Sequence, residues 1–312
     1  MSESIATRDA YGKALVELGS KNPEVVVLDA DLSVSTKTAL FAKKFPHRFF
    51  NMGVAEQDMM GTAAGFALAG KIVFVSTFAV FATGRAWEIV RQSIAYPHLN
   101  VKICATHAGL TVGEDGASHQ TIADIALMRV LPGMTVLVPA DGTEAEQMVA
   151  AAAKHAGPVY LRLSRGKTPL VLDPKYTFEI GKASVLTPIG SIALIACGIM
   201  VDVALKAHEE LKKAGISSTV VNCSTIKPLD TKTLLKVAQQ SKFLVTLEEH
   251  SVLGGLGSAV SEFLSEVHPL PIYKVGVQDQ FGQSGPAEAV LKHYHLTTED
   301  VVALIKTKLE HA

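Results

Sequence analysis

Short apolar runs recur along the chain, with polar, helix-periodic stretches between them. VVVL at 25–28, RFFN at 48–51, IVFV at 72–75, VKICA at 101–105, TVLV at 135–138 and VYLRL at 159–163 read as strands. Most are continuously apolar rather than alternating, the pattern of strands covered on both faces of a parallel sheet. Between them, AEQDMMGTAAGFALAG (55–70) and GTEAEQMVAAAAKHAG (142–157) read as helices. The second has a start signal in Asp141, a capping acceptor followed by Glu144, and a stop signal in Gly157.

From Arg165 to Gly190 this rhythm breaks. Pro169, Pro174 and Pro188 punctuate the stretch, TFEIGKASVL suggests a hairpin, and the whole reads as an interdomain linker. Beyond it the rhythm resumes on a smaller scale. SIALIAC (191–197), STVVNC (218–223), KFLVTLE (242–248) and PIYKVG (271–276) read as strands, and MVDVALKAHEELKKAG (200–215) as an amphipathic helix closed by Gly215. LTTEDVVALIKTKLEHA reads as a terminal helix. The expectation is an α/β protein of two doubly wound domains, 1–165 and 190–312, joined by 166–189. The second is the smaller, with a mostly parallel sheet.

Composition narrows the function classes. The chain has 312 residues, 48% of them hydrophobic, and a formal net charge of -1. That length suits two domains of roughly 100–200 residues each. The balanced charge leaves no footprint for nucleic acid or an anionic membrane surface. No apolar run reaches the ~18–20 residues of a membrane span. The opening MSESIATRDAYGKAL lacks a basic segment followed by an apolar one, so no secretory signal is expected. Cys104, Cys197 and Cys223 are widely spaced, which argues against a disulfide scaffold or thiolate zinc site and favours a reducing cytoplasm.

Candidate chemistry is densest in THAGLTVGEDGASHQ (106–120), which follows the strand VKICA. Ligands of open α/β sheets bind at the carboxyl ends of strands. The stretch can equally be a solvated turn, since Gly, Asp and Ser favour turns. A divalent metal on His107, Glu114, Asp115 and His119 is a third reading, without any of the usual metal spacings. Glu56, in NMGVAEQDMMG, sits near a helix start, where acids ordinarily complement the helix dipole. Its small and apolar flanks would also desolvate it, raise its pKa and let it bond a ring nitrogen. Phe78 and Phe81, in STFAVFATGRAWEIV, are spaced to share a helix face, either as core packing or as the wall of a flat heterocycle. Arg8, Arg165 and the Ser35 hydroxyl could grip a phosphate if the fold brings them to one mouth.

GVAEQDM, STFAVF, THAGLTVGEDGASHQ, VPADGTEAE and LRLSRG, followed by EEHSVLGGLGSAVSE (248–262) and DQFGQSG (279–285), occur in an ordered series. That series resembles the pyrimidine-binding and C-terminal domains of transketolases and covers nearly the whole chain. The family's diphosphate- and metal-binding domain carries a GDG motif followed by an Asn, whereas this chain has only GEDG and PADG. The resemblance therefore implies one subunit of a split enzyme. A separate N-terminal transketolase subunit would hold the diphosphate of thiamine diphosphate with Mg²⁺ or Ca²⁺. The two chains would self-associate, two with two.

Residue by residue, the resemblance implies that Glu56 bonds the pyrimidine N1′. That bond favours the imino tautomer, whose own exocyclic nitrogen takes the thiazolium C2 proton. Phe78 and Phe81 match the aromatic wall, and Asp31 a residue near the cofactor and subunit contact. His107 matches a substrate-phosphate contact and Asp115 a sugar-hydroxyl contact. His119 matches the bond to the donor's ketol hydroxyl, with a part in proton transfer. Arg8, Ser35 and Arg165 match the rest of the phosphate grip. The implied reaction moves a two-carbon ketol unit between sugar phosphates, as in the pentose phosphate pathway. Two positions depart from the pattern: Gly84 stands where a third aromatic is usual, and Gln57 where many members have His. Competing readings are a relative of deoxyxylulose-phosphate synthase or of a 2-oxo acid dehydrogenase beta subunit, and a non-catalytic regulatory partner. Without the resemblance, a metal-dependent hydrolase comes second.

Overall fold

The computed structural model describes residues 3–310. In chain order the first half contributes β1 (Ser4–Ala6), β2 (Val25–Asp29), β3 (Phe49–Asn51), β4 (Ile72–Ser76), β5 (Val101–Ala105), β6 (Thr135–Leu137), β7 (Val159–Arg162) and β8 (Lys167–Pro169). The second half contributes β9 (Ser184–Val185), β10 (Ile192–Ala196), β11 (Ser218–Asn222), β12 (Thr225–Lys227), β13 (Phe243–Ser251) and β14 (Ile272–Val277). The larger sheet has the order β12-β6-β7-β5-β4-β2-β3 and is parallel except at β12. The smaller has the order β14-β13-β10-β11-β9 and is parallel except at β9. Every residue of β2, β5, β7, β10 and β11 is buried, which is why these strands are mainly apolar on both faces, and the polar residues among them, such as Lys102 and Arg162, are hydrogen-bonded within the protein. Each fully buried Val, Leu or Ile side chain there contributes roughly 1.5–3 kcal/mol.

Two features tie the halves together. β12 crosses from the second half to pair antiparallel with β6, Thr225 opposite Leu137, and covers an edge of the first sheet. One apolar cluster then runs from Val101 and Tyr160 through Val136 to Ile226, Val221 and Leu256. Three residues make β12 too short a run to stand out in the sequence.

The expected hairpin over TFEIGKASVL does not form. β9 pairs with β11 instead, and β8 pairs with β1. Asp141 explains part of this. Its Oδ1 accepts from the Glu144 N–H at 3.0 Å, capping the helix Gly142–Lys154. Its Oδ2 accepts from the N–H groups of Val171 and Leu172, at 2.9 and 3.1 Å, and pins the connecting stretch. That helix stops three residues short of Gly157. There the Lys102 ammonium, buried in β5, donates to the carbonyls of His155 and Gly157 at 2.7 and 2.6 Å. The terminal helix runs Thr298–Glu310, and the last two residues of the expected stretch lie outside those described. Among the described residues no helix is long and apolar enough to cross a membrane.

Candidate active site

The site is assembled where β2, β3, β4 and β5 end. At the end of β2, the buried Asp29 carboxylate shapes the following loop. It accepts from the Leu32 N–H at 2.6 Å and from the Thr36 and Thr38 hydroxyls at 2.6 and 2.8 Å, while burial raises its pKa. Asp31 follows with φ 62° and accepts from the Asn51 amide at 2.9 Å, joining the ends of β2 and β3. Beyond β3, Glu56 occupies the first position of the helix Glu56–Leu68. It is 7% exposed, and its carboxylate makes no hydrogen bond with the described residues.

Phe78 does not share a helix face with Phe81, as their spacing suggested. It still lies in extended chain, bridging Thr106 in parallel, and the turns that follow at Phe81–Arg85 are π-helical. The two rings nonetheless lie nearly parallel, 10° apart in plane with centroids 6.0 Å apart. His107 stacks on Phe78 at 3.8 Å. His119 presents its ring edge-on to Phe78 at 6.2 Å and to Phe81 at 5.8 Å. Four rings from the ends of β4 and β5 thus form one wall. Gly84 and Gln57 lie on the exposed side, and a Cβ at Gly84 would meet nothing within 4 Å.

The polarity of His107 follows from its partners. Arg8 Nη1 lies 3.1 Å from Nε2, and a guanidinium only donates, so Nε2 accepts. Nδ1 therefore carries the proton and donates to Thr106 Oγ1 at 2.8 Å. Burial, reinforced by Arg8, Arg165, His119 and Lys37, pushes the His107 pKa down to about 3. The imidazole is neutral and sits in a cationic field. Arg8 also donates to the Ser35 carbonyl at 3.0 Å, so Ser35 meets it through backbone rather than hydroxyl. Its buried Nε has no hydrogen-bond partner among the described residues. Arg165 is brought alongside because Thr7 and Ser164 bond each other: hydroxyl to hydroxyl at 3.0 Å, and Ser164 N–H to Thr7 Oγ1 at 2.8 Å. Arg165 Nη1 donates to the Val112 carbonyl and lies 3.4 Å from Asp115 Oδ2. That partly exposed pair contributes little energy, but it turns Asp115 toward the same mouth. With both ring nitrogens of His107 taken and Asp115 turned to Arg165, these side chains do not converge as metal ligands.

Arg8, Ser35, His107, Arg165 and Asp115 are thus brought together, and Phe78, Phe81 and His119 join them through the ring wall. Asp31 stands apart at the rim. Sequence reasoning missed Lys37, which reaches the same field with φ 71° and pairs with Asp9 at 3.2 Å. It also missed Gln120, whose amide donates to the carbonyls of Leu110 and Gln283 at 2.9 and 3.0 Å and ties the loop to the second domain. The Gln120 signal lay in the facing motifs THAGLTVGEDGASHQ and DQFGQSG, which sequence order alone does not pair.

The family model for the transketolase pyrimidine-binding domain matches residues 3–171, and that for the transketolase C-terminal domain matches 181–301. A protein of Methanocaldococcus jannaschii described as a transketolase C-terminal section is 49% identical over 97% of this chain and 96% of its own length. A 6-deoxy-6-sulfo-D-fructose transketolase subunit of a Clostridium species is 40% identical over 95% of this chain and 92% of its own. Among solved structures, a split-gene transketolase described as an inactive beta4 tetramer superposes with a TM-score of 0.89, at 55% identity over 98% of both chains.

Proposed function

This chain belongs to the transketolase family, and from that premise we propose that it is the catalytic C-terminal subunit of a split, thiamine-diphosphate-dependent transketolase. It moves a two-carbon ketol unit between sugar phosphates, as in the pentose phosphate pathway, in the cytoplasm. A separate N-terminal subunit holds the diphosphate and its Mg²⁺ or Ca²⁺, and the two subunits assemble two with two. The observation that carries the reading is one mouth where an aromatic wall meets a neutral His107 backed by Arg8 and Arg165.

The residues present fit the aminopyrimidine of thiamine diphosphate. Glu56 is a largely buried residue whose carboxylate has no hydrogen-bond partner among the described residues, and Phe78 and Phe81 offer near-parallel faces for a flat ring. When bound, the coenzyme supplies the nucleophilic carbon of ketol transfer. Glu56 holds a proton at the pyrimidine N1′, and Asp31 lines the rim near the other subunit. Arg8 and Arg165 bind the substrate phosphate. His107 Nε2 has no proton to give a phosphate; by accepting from Arg8 it steers that guanidinium into the phosphate grip. Ser35 adds its hydroxyl to the grip. Asp115 orients a sugar hydroxyl, and His119 bonds the ketol hydroxyl and moves its proton. Phosphate binding remote from the reacting carbon orients it for reaction.

The test is reconstitution. The chain is mixed with the candidate N-terminal subunit, thiamine diphosphate and Mg²⁺, and ketol transfer from xylulose 5-phosphate to ribose 5-phosphate is followed. Activity is expected only from the mixture. Full activity of this chain alone, or unchanged turnover in Glu56→Ala, overturns the reading.

A further inference from the structure

The loop that carries His107, Asp115 and His119 is held from behind by the second domain. Glu249, on β13, is 3% exposed, and its Oε1 accepts the Thr111 N–H at 2.5 Å. Gly109 lies against the same carboxylate with φ +81°, and a Cβ there would stand 2.3–2.4 Å from its carbon and both oxygens. Space and backbone conformation independently demand glycine at that position. The support continues inward. Arg162 Nη2 donates to the Glu249 carbonyl at 2.9 Å, and Arg162 Nε reaches the Asp124 carboxylate at 2.7 Å. Tyr160 donates to the same carboxylate at 2.7 Å. Arg162, Asp124 and Tyr160 are all buried. His107, Gly109, Gly113 and Gly116 all take positive φ, so the loop is a series of bends, and its main chain holds it at Gly109, whose N–H donates to the Thr121 carbonyl at 3.0 Å, while the Thr111 N–H is left to Glu249.

We propose that Glu249 is a positioning residue for the transfer reaction: its carboxylate, seated in the Gly109–Thr111 turn, holds His107 against Phe78 and Arg8. The inference rests on the function proposed above and gives the second domain a part in substrate binding beyond assembly. Because the contact lies two to four residues from His107, whereas His119 has its own anchor through Gln120, losing it acts first on the phosphate end of the substrate.

In the complex reconstituted with the N-terminal subunit, Glu249→Ala leaves the Thr111 N–H buried and unpaired. It is expected to raise KM for xylulose 5-phosphate about tenfold. KM for the unphosphorylated donor hydroxypyruvate and the affinity for thiamine diphosphate are expected to stay within about twofold. Glu249→Gln, which keeps an acceptor oxygen in place, restores most of the loss. If the alanine variant does not fold, Glu249→Asp and Gly109→Ala disturb the same contact from its two sides and carry the same expectation. Equal KM changes for both donors, or none, overturn the proposal while leaving the transketolase reading intact. If the wild-type mixture transfers no ketol unit, that reading fails. The positioning role is then decided by the ¹⁵N signals of the His107 ring in the isolated chain. They should shift in Glu249→Ala and return in Glu249→Gln, and an unchanged His107 spectrum overturns it.

Discussion

Both sheets set acids and histidines near the carboxyl ends of parallel strands, yet the two sets are bonded differently. In the first domain, Glu56 makes no hydrogen bond with the described residues and the buried Arg8 Nε is unpaired. In the second, β13 presents Glu248, Glu249 and His250, and all three are engaged by protein. Glu248 accepts from the N–H groups of Leu256 and Gly257, at 2.7 and 2.8 Å, and caps the helix Leu256–Val267. Glu249 holds Thr111, and His250 Nδ1 donates to the Ser251 carbonyl at 2.7 Å. A Cβ at Gly255 would stand 2.0 Å from the Glu248 carboxylate, so no ligand fits there. Position in the fold nominates a ligand site, but free hydrogen-bonding capacity decides it. The same residue types serve architecture when their lone pairs are filled by backbone.

Matched substitutions sharpen this contrast. The largest effect is expected at Glu56: Glu56→Ala should lower kcat of the reconstituted enzyme at least about a hundredfold with little change in Tm. A comparable loss from Glu248→Ala, measured per folded molecule, would erase the distinction. Next comes His107→Ala, which should raise KM for phosphorylated substrates by roughly ten- to a hundredfold and change kcat little. Because the His107 pKa lies near 3, the KM profile should show no histidine limb from this residue between about pH 5 and 8. A limb that disappears in His107→Gln contradicts the neutral tautomer.

On the second domain's side, Glu248→Ala removes a helix cap and should destabilise by about 1–2 kcal/mol, read as an earlier denaturant midpoint with near-normal turnover. The remaining effect concerns pH. Burial lowers the Lys102 pKa to about 7 in the folded chain, against about 10.4 unfolded. Between those values the unfolded state binds more protons, so stability rises with pH through that window and this contribution is lost as pH falls toward 7. Lys102→Met should flatten that slope in denaturant titrations, at some cost from the two carbonyls left unpaired.

Much of the architecture was written locally. Short, mainly apolar runs such as IVFV and IALIA read as strands covered on both faces, and Asp141 followed by Glu144 marks the start of the helix it does cap. The residues of the candidate site were also visible one by one, because the motifs that carry them are short and contiguous. Their convergence was not. Arg8 meets His107 across 99 positions, Thr7 meets Ser164 across 157, and Thr111 meets Glu249 across 138. The crossing of β12 into the first sheet and the use of the Ser35 carbonyl rather than its hydroxyl belong with these. Hydrophobic period and capping act within a few residues, and so a sequence states them directly. Which backbone groups remain unpaired, and which distant carboxylate fills them, depends on the path of the whole chain, and only the packed structure decides that.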